Sequence, residues 1–147
     1  MISTLATPLT LSILTACALA VGTTTHAAPP TAGSSGQKVF ELRTYYTHPG
    51  RLDALNKRFR EHTCKIFQKH GMELVGFWTP RDGEKGHGDT LVYLLAFPSR
   101  EAADKAWENF GKDPEWKAAK EASEKDGPIV KKVERVFLDP TDYSAIK

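Results

Sequence analysis

The first 37 residues of this sequence lack charge. They contain no Lys, Arg, Asp or Glu, so all 20 basic and 18 acidic residues of the chain lie in residues 38–147. The three Trp, four Tyr and seven Phe residues also lie there, and this aromatic content excludes a disordered chain. We therefore predict an uncharged leader followed by one compact domain, because a domain typically has about 100–150 residues.

Residues 38–147 also lack the features of several functional classes. They contain no run of 18 apolar residues, which excludes an integral membrane domain. The net charge is only +2 and the acidic and basic residues are interleaved, so the basic stripe of nucleic-acid-binding proteins is missing. The sequence has no HExxH, CxxC or facial-triad spacing. We therefore expect neither a nucleic-acid partner nor a metal site built by one chain.

Residues 1–28 have the pattern of an export signal. An apolar stretch over residues 9–21 is followed by small residues, and cleavage after Ala27 fits this pattern. In an alternative interpretation, residues 14–17 form a lipoprotein box and Cys17 carries the lipid anchor. Residues 29–37 are rich in Pro, Gly and Ser and are predicted to be a flexible linker. Both interpretations predict an exported protein, either periplasmic or secreted.

The pattern of residues 38–147 predicts the element order β-α-β-β-α-α-β. The predicted strands are residues 39–46, 73–79, 90–97 and 131–138, and the predicted helices begin near Pro49, Ser99 and Asp113. This order is typical of an α+β, ferredoxin-like fold, in which helices cover one face of a four-stranded antiparallel sheet.

The third predicted strand favours a homodimer, because it is apolar on both faces. One face carries Leu91, Tyr93, Leu95 and Phe97, and the other carries Val92, Leu94 and Ala96. The helices cover only one face, so a second copy that packs sheet against sheet would cover the other. Cleavage of the leader leaves Cys64 as the sole cysteine, which excludes an intramolecular disulfide and makes oligomerisation an attractive source of stability.

A set of short motifs occurs in a characteristic order along the domain. It consists of FELRTY at 40–45, Pro49-Gly50, Arg58-Phe59, His62, His70-Gly71, GFW at 76–78, VYLLAF at 92–97 and DPEW at 113–116. Through this set, nearly all of residues 38–140 resembles the NIPSNAP family. The resemblance implies a dimeric α/β barrel, a fold that also carries small-molecule monooxygenases and haem-degrading proteins. It leaves the activity open, since the family has no settled common reaction.

Alternation along the first strand predicts a site. We expect Phe40, Leu42 and Thr44 to face the helices, and Glu41, Arg43 and Tyr45 to face the space between two sheets. Trp78 and Tyr93 are candidates to line the same cavity. In one interpretation, Arg43 anchors an anionic or carbonyl-bearing ligand and a Tyr hydroxyl donates to it. In the other, Glu41 and Arg43 form a structural ion pair.

His62 is the remaining candidate in the ligand-binding set. It follows Leu55 and Phe59 at helical spacing and is therefore expected on the apolar face of the first helix. It is interpreted either as a haem ligand or proton carrier, or as a histidine at the edge of the core that bonds a backbone carbonyl. His70, at the end of the same helix, is expected to face solvent.

The leading hypothesis is an exported homodimer that binds a small organic molecule inside a barrel. One alternative is an oxygenase-like enzyme, either cofactor-free or dependent on haem, and haem is the one cofactor considered. A second alternative is a structural domain for protein interaction. The sequence offers no nucleophile that would favour the enzyme, since Cys64 and His62 lie on different faces of the predicted helix.

Overall fold

The computed structural model describes residues 37–147, so the predicted signal peptide (1–28) and residues 29–36 of the predicted linker lie outside the described residues. The strands are β1 (Val39–Thr47), β2 (Glu73–Trp78), β3 (Thr90–Phe97) and β4 (Val130–Leu138). The helices are α1 (Leu52–Arg58), α2 (Cys64–Lys69), α3 (Arg100–Lys112) and α4 (Pro114–Ser123), and a π-helical turn, Phe59–Thr63, joins α1 to α2. The predicted element order is confirmed.

The four strands form one antiparallel sheet in the order β2-β3-β1-β4. β1 is central and pairs with both β3 and β4. This arrangement, with helices packed on the sheet, confirms the predicted α+β, ferredoxin-like fold. The core lies between the helices and the odd-numbered residues of β3, and its main side chains are Leu55, Phe59, Ile66, Phe67, Leu91, Tyr93, Leu95, Phe97 and Phe110.

The register of β1 overturns the predicted assignment of its two faces. Residues paired across antiparallel strands point to the same side of a sheet. Glu41 pairs with Leu95 and Arg43 pairs with Tyr93, and both partners are buried in the core beneath the helices. The prediction that Glu41, Arg43 and Tyr45 face away from the helices is therefore wrong.

The opposite face of the sheet carries Phe40, Leu42 and Thr44, together with the residues paired with them on β3 and β4. Part of this face is open, since Trp78 and Val136 are each 54% exposed. Residues that follow β4 lie over one end of the face, where a cavity of about 230 Å³ is lined by Phe40, Leu94, Leu138, Asp139, Pro140, Thr141, Ser144 and Ile146. We call this side of the sheet the open sheet face.

Asp113 fixes the joint between α3 and α4. Its carboxylate accepts a hydrogen bond from the backbone N–H of Glu115 at 2.8 Å and so caps α4. The same carboxylate accepts from His70 Nε2 at 2.7 Å and lies 3.0 Å from Lys69 Nζ. Burial alone would raise the pKa of Asp113, but the bonds from His70 and Lys69 outweigh it and lower the pKa well below its ordinary value. His70 is thus a half-buried partner of Asp113, and the prediction that it faces solvent is wrong.

Asp113→Asn should make the stability of the protein less dependent on acid. A carboxyl whose pKa is depressed in the folded state stabilises that state above its unfolded pKa of about 3.9, and this contribution is lost as the pH falls below that value. We expect the variant to be less stable than the wild type at pH 5 and the difference to shrink towards pH 2. Urea denaturation across this range measures it. Asp126→Asn, at an exposed position, is the control, and an equal shrinkage there would contradict the assignment.

Candidate functional site

Glu41 is the centre of a group of polar side chains inside the core. The residue is completely buried, and its Oε2 atom accepts a hydrogen bond from the indole N–H of Trp107 on α3. Its Oε1 atom lies 3.5 Å from Nη1 of Arg43. The guanidinium of Arg43 lies over the Trp107 ring, 3.9 Å from the ring centre. The Trp107 side chain therefore holds both members of the ion pair against the sheet.

Tyr93 completes this group on β3, directly opposite Arg43. Its ring stacks on Phe77 at 5.3 Å and 20° and meets the Tyr45 ring edge-on at 5.3 Å. Burial raises the pKa of the Tyr93 phenol well above its ordinary value, the neighbouring Tyr45 phenol raises it further, and the charge of Arg43 opposes these effects only in part. Tyr93 therefore keeps its proton and remains a hydrogen-bond donor. We call Glu41, Arg43, Tyr45, Tyr93 and Trp107 the core polar cluster.

Three buried atoms of this cluster have no hydrogen-bond partner among residues 37–147. They are Oε1 of Glu41, Nε of Arg43 and the hydroxyl of Tyr93. The Glu41–Arg43 contact at 3.5 Å is an ion pair, but its geometry gives neither Oε1 of Glu41 nor Nε of Arg43 a hydrogen bond. A buried polar atom left unpaired costs about 1–3 kcal/mol, so such atoms are rare in native cores and call for a reason. Of these three atoms, Oε1 of Glu41 accepts, Nε of Arg43 donates, and the hydroxyl of Tyr93 can donate or accept.

The predicted site residues are brought together only in part. Glu41, Arg43, Tyr45 and Tyr93 lie together, but between the sheet and the helices rather than between two sheets. Trp78 pairs with Val92, whereas its neighbour Phe77 pairs with Tyr93. The prediction that Trp78 and Tyr93 line one cavity is therefore wrong, because one residue of register places Trp78 on the open sheet face.

His62 lies away from the core polar cluster. The π-helical turn carries a hydrogen bond from the N–H of Cys64 to the carbonyl of Phe59, five residues back, which shifts the phase of the helix. Thr63 is therefore buried, while the His62 side chain is 52% exposed. The expectation that His62 shares the apolar face is wrong. It lines two cavities between the first helical segment and α4, of about 430 and 260 Å³.

Trp107 is the member of the cluster whose role the sequence did not reveal. Its helical spacing beside Ala and Phe indicates a core anchor, and only the need of a buried indole N–H for an acceptor could have suggested a polar partner. Among residues 37–147, no group of three His, Cys, Asp or Glu side chains is placed to hold a metal ion. No helix in this range is both long and apolar enough to cross a membrane.

Comparisons with known proteins identify the fold. A model of the NIPSNAP family matches residues 40–145, and no curated protein matches the chain. A NIPSNAP family protein of unknown function from Agrobacterium tumefaciens is 22% identical, with a TM-score of 0.65 over 76% of this chain and 95% of that chain. A NIPSNAP-like domain protein from Burkholderia xenovorans is 18% identical, with a TM-score of 0.63 over 74% and 89% of the two chains.

A more distant solved structure is SnoaB, a cofactor-independent oxygenase from Streptomyces nogalater. It is 12% identical to this chain, with a TM-score of 0.50 over 73% of this chain and 96% of the SnoaB chain. At this identity the likeness shows a common fold alone, and the oxygenase activity is that of SnoaB.

Tyr93→Phe should not destabilise the protein. It removes a buried hydroxyl that has no hydrogen-bond partner in the described part of the chain, so we expect the free energy of unfolding to stay constant or rise by about 1 kcal/mol. Thr63→Val is the matched control, because the equally buried Thr63 hydroxyl donates to the carbonyl of Arg58 at 3.3 Å. Its loss should cost about 1 kcal/mol in urea denaturation. A larger loss for Tyr93→Phe than for Thr63→Val would contradict the assignment.

Proposed function

We propose that this chain, which belongs to the NIPSNAP family through its match over residues 40–145, is an exported homodimer that binds a small organic molecule at the core polar cluster. The observation that carries the proposal is the set of three buried, unpaired polar atoms on Glu41, Arg43 and Tyr93. Binding sites for small molecules typically combine apolar and aromatic walls with a few convergent polar groups. The core polar cluster has this composition.

Access to the cluster is supported by the uncovered edge of the sheet. In the Glu41–Arg43 ion pair, Arg43 reaches solvent, with 13% of its side chain exposed, whereas Glu41 does not. Its neighbour on β4 is Arg135, and the neighbour of Tyr45 is Val133. Both β4 residues are exposed although they share the helix side of the sheet with the cluster. We therefore expect a ligand to approach Arg43 along this exposed part of β4.

The ion pair supplies a reason for the cluster to persist without ligand. Breaking a buried pair by removing one partner typically costs about 3–5 kcal/mol, so Glu41 and Arg43 stabilise each other in the free protein. The two interpretations of Arg43, as ligand anchor and as structural ion pair, are therefore compatible. Nη1 faces Glu41, while Nε is free for a ligand.

The alternatives from the sequence stay predictions. An oxygenase, either cofactor-free or dependent on haem, would consume oxygen with an organic substrate, and a haem protein would show a Soret band on titration. His62, the candidate haem ligand, lies on the surface and apart from the core polar cluster. A structural domain for protein interaction would bind no small molecule at the cluster.

A ligand screen with paired variants tests the proposed site. We expect aromatic compounds with polar substituents to raise the melting temperature of the purified protein, and Tyr93→Phe to weaken the binding of the best compound about tenfold, because one hydrogen bond is lost. Tyr46→Phe is the matched control, since the Tyr46 hydroxyl lies on the open sheet face and bonds Glu134 at 3.0 Å. Weaker binding in Tyr46→Phe but not in Tyr93→Phe would instead place the ligand between two sheets.

The homodimer is supported by the open sheet face. Leu42, Leu94 and Val136 form an apolar row across its three adjacent strands, and the helices lie on the other side. Sheet-to-sheet packing of a second copy would remove this row from water, with a gain of roughly 25 cal/mol for each Å² of apolar surface buried.

We expect sedimentation of the protein at micromolar concentration to give twice the monomer mass. Val136→Glu should shift the equilibrium to the monomer, because it places a charge at the centre of the proposed interface, where Val136 is 54% exposed in one chain. Ala118→Glu, at an exposed position on α4, is the control and should remain dimeric. A wild type that sediments as a monomer would contradict the proposal.

A further inference from the structure

Two adjoining cavities form a groove between the first helical segment, residues 52–69, and α4. Their volumes are about 430 and 260 Å³, and the larger one alone falls within the range of about 300–1,000 Å³ that is typical of small-molecule sites. Glu61, His62, Ala119 and Ala122 line both cavities. We call this feature the helix groove. It shares no lining residue with the core polar cluster.

The part of the helix groove along α4 is apolar, because α4 presents alanines to the first helical segment. Ala118 and Ala122 are exposed one turn apart, and Ala119 is buried beside them. Ile66 of α2 lines the larger cavity together with these three alanines. The small side chains leave the volume of the cavity open, so this part of the groove offers an apolar chain a surface on which it loses contact with water.

The π-helical turn places His62 in the helix groove. The turn spans Phe59–Thr63 and includes Glu61 and His62, the two residues of the first helical segment that line both cavities. Such turns occur frequently at functional sites. His62, which the sequence indicates as a candidate ligand-binding residue, therefore lies where the two cavities adjoin.

Arg58 provides the sign of a polar occupant. It lines the smaller cavity, and its side chain is only 2% exposed. Its Nη1 atom donates to Ser123 Oγ at 3.1 Å and to Glu124 Oε1 at 3.0 Å, so Glu124 balances its charge. Its Nε atom has no hydrogen-bond partner among residues 37–147, although buried donors in native proteins almost always have one. An unpaired donor on a residue that lines the cavity indicates an occupant with an acceptor group.

The charges along the helix groove favour an anion. Lys57, Glu61 and Lys65 follow one another at four-residue spacing and all line the groove. Neither lysine forms an ion pair within the described part of the chain, so the two positive charges exceed the single carboxylate between them. The carboxylate on the α4 side, Glu115, is already paired with Lys69 at 3.0 Å.

The length of the helix groove limits the size of its occupant. On α4, the groove extends from Glu115 in the larger cavity to Ser123 in the smaller one. These residues are eight positions apart, which corresponds to about 12 Å along the helix axis at 1.5 Å per residue. An extended chain of ten carbons has nearly this length.

We propose that the helix groove is a binding site for a free single-chain carboxylate of about ten carbons. The carboxylate lies in the smaller cavity, where Lys57, Arg58 and His62 carry N–H donors. The apolar chain lies along Ala119 and Ala122 into the larger cavity. This site is separate from the core polar cluster and does not rest on the function proposed for that cluster.

Calorimetric titration of the purified protein with three single-chain probes below their micellar concentrations tests the inference. We expect decanoate to bind at least about fourfold more tightly than octanoate, because a fully buried methylene contributes a factor of about four. We expect decyltrimethylammonium, which has the same chain length but a cationic head without an acceptor, to bind about tenfold more weakly than decanoate. Equal binding of decanoate and the cation, or no saturable binding of decanoate up to about 5 mM, would overturn the inference.

Two charge variants with opposite effects test the position of the carboxylate. Lys57→Gln should weaken decanoate about threefold, and Glu61→Gln should strengthen it by a similar factor, since interactions between exposed charges are of this size. Lys105→Gln, at an exposed position on α3 outside the helix groove, is the control and should bind as the wild type does. Unchanged affinity in both groove variants would overturn the inference.

A filled groove tests the position of the chain. Ala122→Phe places a large side chain where both cavities adjoin and should weaken decanoate at least about tenfold, whereas Glu121→Phe, at an exposed position of α4 that lines neither cavity, should not. Equal melting temperatures of the two variants show that both fold. Tyr93→Phe should bind decanoate as the wild type does. Weaker binding in Tyr93→Phe and normal binding in Ala122→Phe would place decanoate at the core polar cluster, which overturns this inference and supports the proposed function.

Discussion

Burial of the Glu41 carboxylate is the constraint on which the arrangement of the site depends. The carboxylate lies on β1, the strand that pairs with both β3 and β4, and it is completely enclosed. Its hydrogen bond to Trp107 requires α3 to cross the sheet at this point, and its charge requires Arg43 beside it. Because a buried charge without these partners is strongly unfavourable, packing of α3 and pairing of the charges have to occur together.

Much of the fold could be predicted from local patterns. β3 is a continuous apolar strand, Ser99 caps α3 by accepting from the N–H of Ala102 at 3.2 Å, and Asp113 caps α4. These patterns depend on residues only a few positions apart, so the sequence predicts them without knowledge of the tertiary structure. The order of the elements then restricts the topology to few choices, and the ferredoxin-like arrangement follows.

The site was harder to predict because its geometry depends on distant residues. The faces of β1 were assigned on the rule that polar side chains point away from the helices, but Oε2 of the buried Glu41 accepts a hydrogen bond from Trp107, 66 residues away. Trp78 was assigned to the wrong face of the sheet because the predicted register was off by one residue. The pairing of β2 with β3 sets this register, and the sequence of β2 alone does not determine it. His62 was assigned to the wrong face of the helix because a π-helical turn shifts the helical phase. The sequence of Phe59–Thr63 has no pattern that predicts such a turn.

The two ends of the folded domain meet. The side-chain amide of Gln37, just before β1, donates to the carbonyl of Pro140, just after β4, at 3.0 Å. β1 and β4 are also adjacent in the sheet. A circular permutant that joins these ends and opens the chain within the exposed turns of residues 81–89 would thus preserve all the strand pairs. It would make β1 and β4 neighbours along the chain as well as in the sheet, and a change in the folding rate would show how far the formation of this strand pair limits folding.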